Sequence, residues 1–127
     1  MINKILIMSL LTLFVASAVS EGANWLHFVD SIQGDRCYID VDSIERTAPG
    51  TMRVIRKVEP ENSQDISSLV SSLEMDCTGS RIKSIEETTY FKNGTTQKTK
   101  GENQFRKISP EDLDEALLEL VCSLKKM

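Results

Sequence analysis

The residues able to do chemistry in this chain are few and widely spaced. Three cysteines, Cys37, Cys77 and Cys122, offer disulfide or thiolate chemistry, and an odd count leaves one thiol over if two of them pair. One histidine, His27, lies two residues from Trp25. Alone it cannot build a His-rich metal site, and a packed or half-exposed strand residue is its ordinary role. Asp40 and Asp42 are carboxylates two apart, as are Glu74 and Asp76, and strand alternation would put each pair on one face. Neither pair has the glycine-bearing loop of a calcium site. The cysteines lack zinc spacing, and no Gly-rich phosphate loop, nucleophile elbow or Cys–His arrangement occurs. The expectation is a chain with no catalytic residue, no metal and no cofactor.

What remains is charge. Across residues 92–107 five cations (Lys92, Lys98, Lys100, Arg106, Lys107) stand against Glu102 alone, a local +4 on a chain of formal net charge −4 and pI near 5.0. The acidic balance gives no electrostatic case for general nucleic-acid binding. A local basic strip does one of two things: it steers an acidic partner to a docking surface, or it keeps an edge strand from aggregating. Lys98, Lys100, Arg106 and Lys107 are the candidate binding residues.

The first twenty residues read as a secretory signal. Lys4 supplies the positive start, Ile5 to Val15 the apolar run, and Ala16-Ser17-Ala18 a small-x-small cleavage site. Ala18-Val19-Ser20 serves equally well, so residues 21–127 form the expected mature domain. The apolar run is short for a membrane span, and Ser9 and Thr12 interrupt it, so no span is expected after cleavage. Without Lys4 the 15 Lys and Arg become 14 against 19 acids, a mature charge of −5. Export to the periplasm or cell surface means an oxidising compartment, which favours disulfides.

Strands must position these groups. Asn24 to Asp30 carries Trp25, Leu26, Phe28 and Val29 and reads as a first strand. After the Gln33-Gly34-Asp35 turn, Cys37, Ile39 and Val41 alternate inward against Arg36, Tyr38 and Asp40. Buried on that face, Cys37 is an inert thiol. Past Pro49-Gly50, Met52, Val54 and Val58 share one face and Arg53 and Lys57 the other, an antiparallel pattern with one solvated side. Residues 66–73 fit a short helix or a strand, and from Val70 to Cys77 strand is the better reading. A long strand, Arg81 to Lys92, follows Thr78-Gly79-Ser80, with a bulge implied where apolar parity shifts between Ile82 and Ile85. Asn93-Gly94 is the strongest hairpin signal, and as a two-residue loop it sets Lys92 against Thr95 and Glu87 against Lys100. Asn93-Gly94-Thr95 also fits the glycosylation pattern, which the turn already explains.

The chain closes on an amphipathic helix. Leu113, Ala116, Leu117, Leu120, Val121 and Leu124 recur at helical spacing. Ser109 can cap, Pro110 suits the first turn, Asp112 completes a weak capping box, and Lys125 and Lys126 sit at the negative end of the dipole. The fold class is therefore α+β: an antiparallel sheet of about six strands with a C-terminal helix. A Cys77–Cys122 bridge would pin that helix to the sheet and stabilise by about 3–4 kcal/mol in the chain-entropy model. One geometric conflict stands. At about 100° per residue, Cys122 lies opposite Leu113 around the helix, so either the helix frays before Cys122 or its edge faces Cys77.

The order of landmarks resembles the surface-adhesin protein E family of exported bacterial proteins. The matching residues are Trp25, Tyr38-Ile39-Asp40 with Ser43-Ile44, Asp76-Cys77, Tyr90 with Gly94, Phe105 with Ile108-Ser109-Pro110, and Val121-Cys122. The likeness covers nearly all of residues 21–127. It departs at Phe105, where the family usually has Trp, and at the additional Cys37. The resemblance implies a small antiparallel β domain whose C-terminal helix is held by a disulfide, with Cys77 and Cys122 at the matching positions. It also implies an adhesin-like binder of an extracellular-matrix or envelope protein, with a homodimer as a further state to test. The alternative is a periplasmic small-ligand (haem-like) binding protein using His27 and nearby aromatics.

Overall fold

The structure, a computed structural model, describes residues 23–110 and 113–124. The signal segment, Asp112 of the capping box, and Lys125 and Lys126 lie outside the described residues. The strands are β1 (Trp25–Asp30), β2 (Arg36–Asp40), β3 (Glu45–Ala48), β4 (Thr51–Glu59), β5 (Ile66–Asp76), β6 (Arg81–Phe91), β7 (Thr96–Lys100) and β8 (Arg106–Lys107). A single 3-10 turn, Val41–Ser43, follows β2, and helix α1 (Leu113–Leu124) closes the chain. All pairings are antiparallel, in the order β1-β2-β4-β5-β6-β7, with β3 added beside β4 and β8 beside β6.

The sheet thus has eight strands rather than about six. Both extra strands are short and exposed along their whole length, so no apolar alternation announces them. Residues 66–73, left between helix and strand, belong wholly to β5. Pairing with β4 on one side and β6 on the other overrides the helical spacing of Ile66, Leu69, Val70 and Leu73.

One face of the sheet carries the core. Ile39, Met52, Val54, Leu73, Met75 and Ile82 meet Ile108, Leu117, Leu118 and Val121 there, all buried. Cys37 is 1% exposed beside that core and unpaired. The bulge falls where parity requires it: Ser72 faces Glu86 while Leu73 faces Ser84, which leaves Ile85 as the extra residue.

The hairpin after β6 differs from the two-residue reading. Phe91 N–H donates to Thr95 O (2.9 Å), Gly94 N–H donates to Phe91 O (3.0 Å), and Gly94 has φ +91°. The loop is three residues, Lys92-Asn93-Gly94, a turn closed by a left-handed glycine. The extra loop residue shifts the register by one, so Glu86 faces Lys100 and Glu87 faces Thr99.

Helix α1 does not present the expected stripe. The buried positions are Asp114, Leu117, Leu118 and Val121, whereas Leu113, Ala116 and Leu120 are half-buried. The inward face is turned by about 80° from the apolar stripe, and that turn resolves the conflict over Cys122. The helix runs unbroken through Cys122, whose sulfur bonds Cys77 from the helix edge, with Cα atoms 5.8 Å apart.

Candidate binding surface

The basic strip begins on an edge. Every residue of β7 is exposed, and β7 has no strand on its outer side along the main sheet path. Its cations do not form one surface. Lys98 Nζ lies 3.4 Å from Glu86 Oε1, both side chains well exposed, so it belongs to the face away from the helix. Lys107 borders a different hollow, shared with Ser80, Ile108, Pro110 and Glu119. Arg106 turns to the core side, where its Nη2 meets Asp114 Oδ2 at 2.6 Å. Lys100, two residues from Lys98 at the end of β7, shares the face of Lys98 by strand alternation, and its residue borders a recess whose wall on the core side holds Arg106.

Asp114 is the centre of this region and only 5% exposed. Arg56 Nη1 reaches its other oxygen, Oδ1, at 2.6 Å. Two guanidinium groups from β4 and β8 therefore clamp one carboxylate of the helix, a strong charge-assisted arrangement. Neither Asp114 nor Arg56 stands among the candidate residues read from the sequence. A signal was present: Arg56 stands at the inward parity of β4, between Val54 and Val58, where a cation requires a partner.

The clamp forms one wall of a recess of about 360 Å³. Arg56, Ser84, Glu87, Lys100, Glu102 and Gln104 line it, over Leu73 and Ile82. Its rim is the segment 101–105, folded back onto the bulge. Gly101 N–H donates to Ile85 O (2.9 Å) and Asn103 N–H to Ser84 O (3.2 Å). A Cβ at Gly101 would collide with the Ser84 carbonyl, so glycine is required by close approach.

The remaining candidates are engaged locally. Asp40 caps the 3-10 turn, accepting from Asn24 N–H (3.2 Å) and Asp42 N–H (3.1 Å). Glu74 sits between Arg53 (3.4 Å) and Lys83 (3.6 Å). Asp76 binds Arg81 at 2.7 Å and accepts from the Thr78 and Gly79 amides; the Arg81 hydrogen bond, then those amides, hold its carboxyl below the usual range. Among the described residues no cluster of three or more His, Cys, Asp or Glu could hold a metal ion. His27 Nε2 lies 2.6 Å from Asp30 Oδ1, and its ring is 5.3 Å from Tyr38. Lys57 Nζ sits between Trp25 (4.7 Å) and Tyr38 (4.8 Å) on the face away from the helix. Burial pushes the Cys37 thiol up, away from thiolate chemistry.

The surface-adhesin protein E model matches residues 25–123. The chain belongs to the surface-adhesin protein E family. The family's span runs from Trp25 at the start of β1 to the turn of α1 that holds Cys122, so it includes both ends of the disulfide. Solved structures of Haemophilus influenzae protein E share the fold. Crystal form II superposes with a TM-score of 0.62 at 15% identity, covering 81% of this chain and 90% of that one. The selenomethionine form gives 0.58 at 16% identity, covering 78% and 85%. A third structure gives 0.55 at 16%, covering 79% and 84%. No curated protein sequence gives a significant match. At these identities the likeness establishes the fold, and nothing in it favours the small-ligand (haem-like) alternative. Family members are surface adhesins by description, and no helix among the described residues is long and apolar enough to cross a membrane. Phe105 lies against Arg81 (5.3 Å) and Lys83 (5.0 Å), an aromatic ring beside two cations.

Proposed function

We propose that this protein is an exported, non-enzymatic binding module of one domain, adhesin-like, that engages an acidic protein partner through the β7 edge and the loops around residues 92–107. The observation that carries the reading is membership of the surface-adhesin family, and a fully exposed edge strand bearing Lys98 and Lys100 supports β7 as the docking edge. An edge strand offers unpaired backbone groups to an incoming chain, and its lysines steer an acidic one to it. The partner class is an extracellular-matrix or envelope protein.

The test is binding of the mature protein to immobilised matrix and envelope proteins, measured against salt. Arg106 is left intact because it holds Asp114. The triple variant Lys98→Glu, Lys100→Glu, Lys107→Glu should weaken binding about tenfold or more at low salt, and the wild-type signal should fall as salt rises. A triple variant that is folded, monodisperse and undiminished in binding would make the lysines guards against aggregation and remove this edge as the site.

A further inference from the structure

The turn between β6 and β7 places an electrophile and a nucleophile side by side. Asn93 is the only asparagine in the chain followed by glycine. Its Oδ1 accepts from the Thr95 N–H at 3.0 Å and from the Thr95 Oγ1 hydroxyl at 2.6 Å. This Asx turn folds the side chain back along the peptide that follows it. Two donors on one carbonyl oxygen polarise Cγ, and they stand where negative charge gathers when a nucleophile adds there. The nucleophile next along the chain is the Gly94 backbone nitrogen. Gly94 has no side chain to obstruct the approach, and a Cβ built on it would meet no heavy atom within 4 Å. Asn93, Gly94 and Thr95 are all exposed, so water reaches each of them. One contact opposes the reaction: the Gly94 N–H donates to Phe91 O at 3.0 Å and must first be released. A solvated hairpin end opens more readily than the paired strands behind it.

We propose that Asn93 is a self-modification site, which deamidates through a cyclic imide formed with Gly94 while Thr95 acts as the positioning residue. The Gly94 nitrogen loses its proton to water or hydroxide and attacks Asn93 Cγ. The N–Cγ bond forms, the Cγ–Nδ2 bond breaks, and Nδ2 takes up a proton and leaves as ammonia. Water then opens the imide. Cleavage of the new N–Cγ bond leaves an aspartate; cleavage of the original peptide bond leaves an isoaspartate, whose backbone runs through the side chain and is one methylene longer. Water is the only co-reactant. Either product puts a carboxylate beside Lys92 at the head of the basic strip. The isoaspartate also lengthens a loop whose closing bond, Phe91 N–H to Thr95 O at 2.9 Å, sets the register of β7. The hairpin is thus a chemical clock that loosens β7 as the protein ages, whether or not β7 docks a partner.

The experiment is incubation of the folded mature protein in neutral and in mildly alkaline buffer, followed over days by peptide mapping with isoaspartate detection. The mass gain of amide-to-acid conversion should be confined to the peptide that carries Asn93, with both aspartate and isoaspartate formed. Asn24, Asn62 and Asn103 should stay intact over the same period. The rate should rise with pH, since the attacking nitrogen must lose its proton. Thr95→Val, at an exposed position, keeps the amide donor and removes the hydroxyl. It should slow conversion about tenfold, less than the loss at a buried oxyanion site because water can stand in for the hydroxyl. Thr95→Ser should keep the wild-type rate, which a merely structural role for the threonine methyl would not predict. Amide spectra of both variants check that the hairpin is retained. No conversion at Asn93, conversion spread evenly over the asparagines, aspartate without isoaspartate, a rate indifferent to pH, or equal rates in Thr95→Val and wild type would each overturn the proposal.

Discussion

At the scale of single residues, the decisive group is Asp114. Its two oxygens each hold one arginine at 2.6 Å inside the packed layer. Removing one partner of a buried pair leaves the other charges without compensation. Asp114→Ala should therefore lower the unfolding free energy by about 3 kcal/mol in urea denaturation. Arg106→Gln should cost about 1 kcal/mol or less, because the Arg106 side chain is half exposed while that of Arg56 is not. Equal losses in the two variants would contradict this division. Asp76 sets a pH dependence. Its carboxyl is held below its ordinary range in the folded state, so its contribution to stability is fully present above the unfolded carboxyl's pKa. That contribution fades as pH falls through the lower folded pKa. The stability gap between wild type and Asp76→Asn should accordingly be constant near neutrality and close progressively under acid. A gap that widened on acidification would refute the assignment.

At the scale of elements, the helix is attached at three points: the apolar face at Leu117, Leu118 and Val121, the Asp114 clamp, and the disulfide. The bridge closes a sequence separation of 45 residues. Its removal in a Cys77→Ser, Cys122→Ser variant should cost about 3–4 kcal/mol by loop-closure entropy, read as a lower thermal midpoint with the sheet's circular dichroism kept. The segment after β7 depends on Gly101. Gly101→Ala must move the segment off the Ser84 carbonyl, since the obstacle is backbone rather than a flexible side chain. A loss of about 1–3 kcal/mol is expected, with faster amide exchange at Gly101 and Asn103, whose hydrogen bonds to Ile85 and Ser84 would open. Unchanged protection at both amides would show that the segment is not seated by this contact.

At the scale of the whole molecule, two layers are built from one sheet, with the helix on one face and ion-paired side chains on the other. Across the open face the register lines up His27, Tyr38, Lys57, Val70, Thr88 and Lys98 in one row. That row mixes aromatic, cationic and small polar groups around one part-buried valine, as a largely solvated surface should. The family match begins at Trp25, after the segment read as a signal. Intact mass of the exported protein is expected to correspond to loss of residues 1–18 or 1–20, with no change in unfolding behaviour of the domain. A mass equal to the full chain would mean that the apolar run is retained as an anchor.

Sequence alone carried what depends on neighbours along the chain. Inward alternation in β2 and β4, the place of the β6–β7 hairpin, the bulge near Ile85, the helical span and the cysteine left out of the bridge all follow from local periodicity, turn chemistry and residue order. The family order of landmarks added the disulfide pair. What only the tertiary structure decided has a common cause. The rotation of α1, the one-residue slip of the hairpin, the strands β3 and β8 and the Arg56–Asp114–Arg106 clamp are each set by partners far away in sequence. A helix with apolar residues at Leu113, Leu117, Leu118 and Leu120 has more than one face that it can bury. A buried carboxylate with two arginines and a bridge at its far end chooses between those faces, and neither force is visible in the 3.6-residue period. The same rule divided the basic strip. Charge counted along residues 92–107 is a linear quantity, whereas the side of the sheet each cation occupies depends on strand parity and on where the chain turns back.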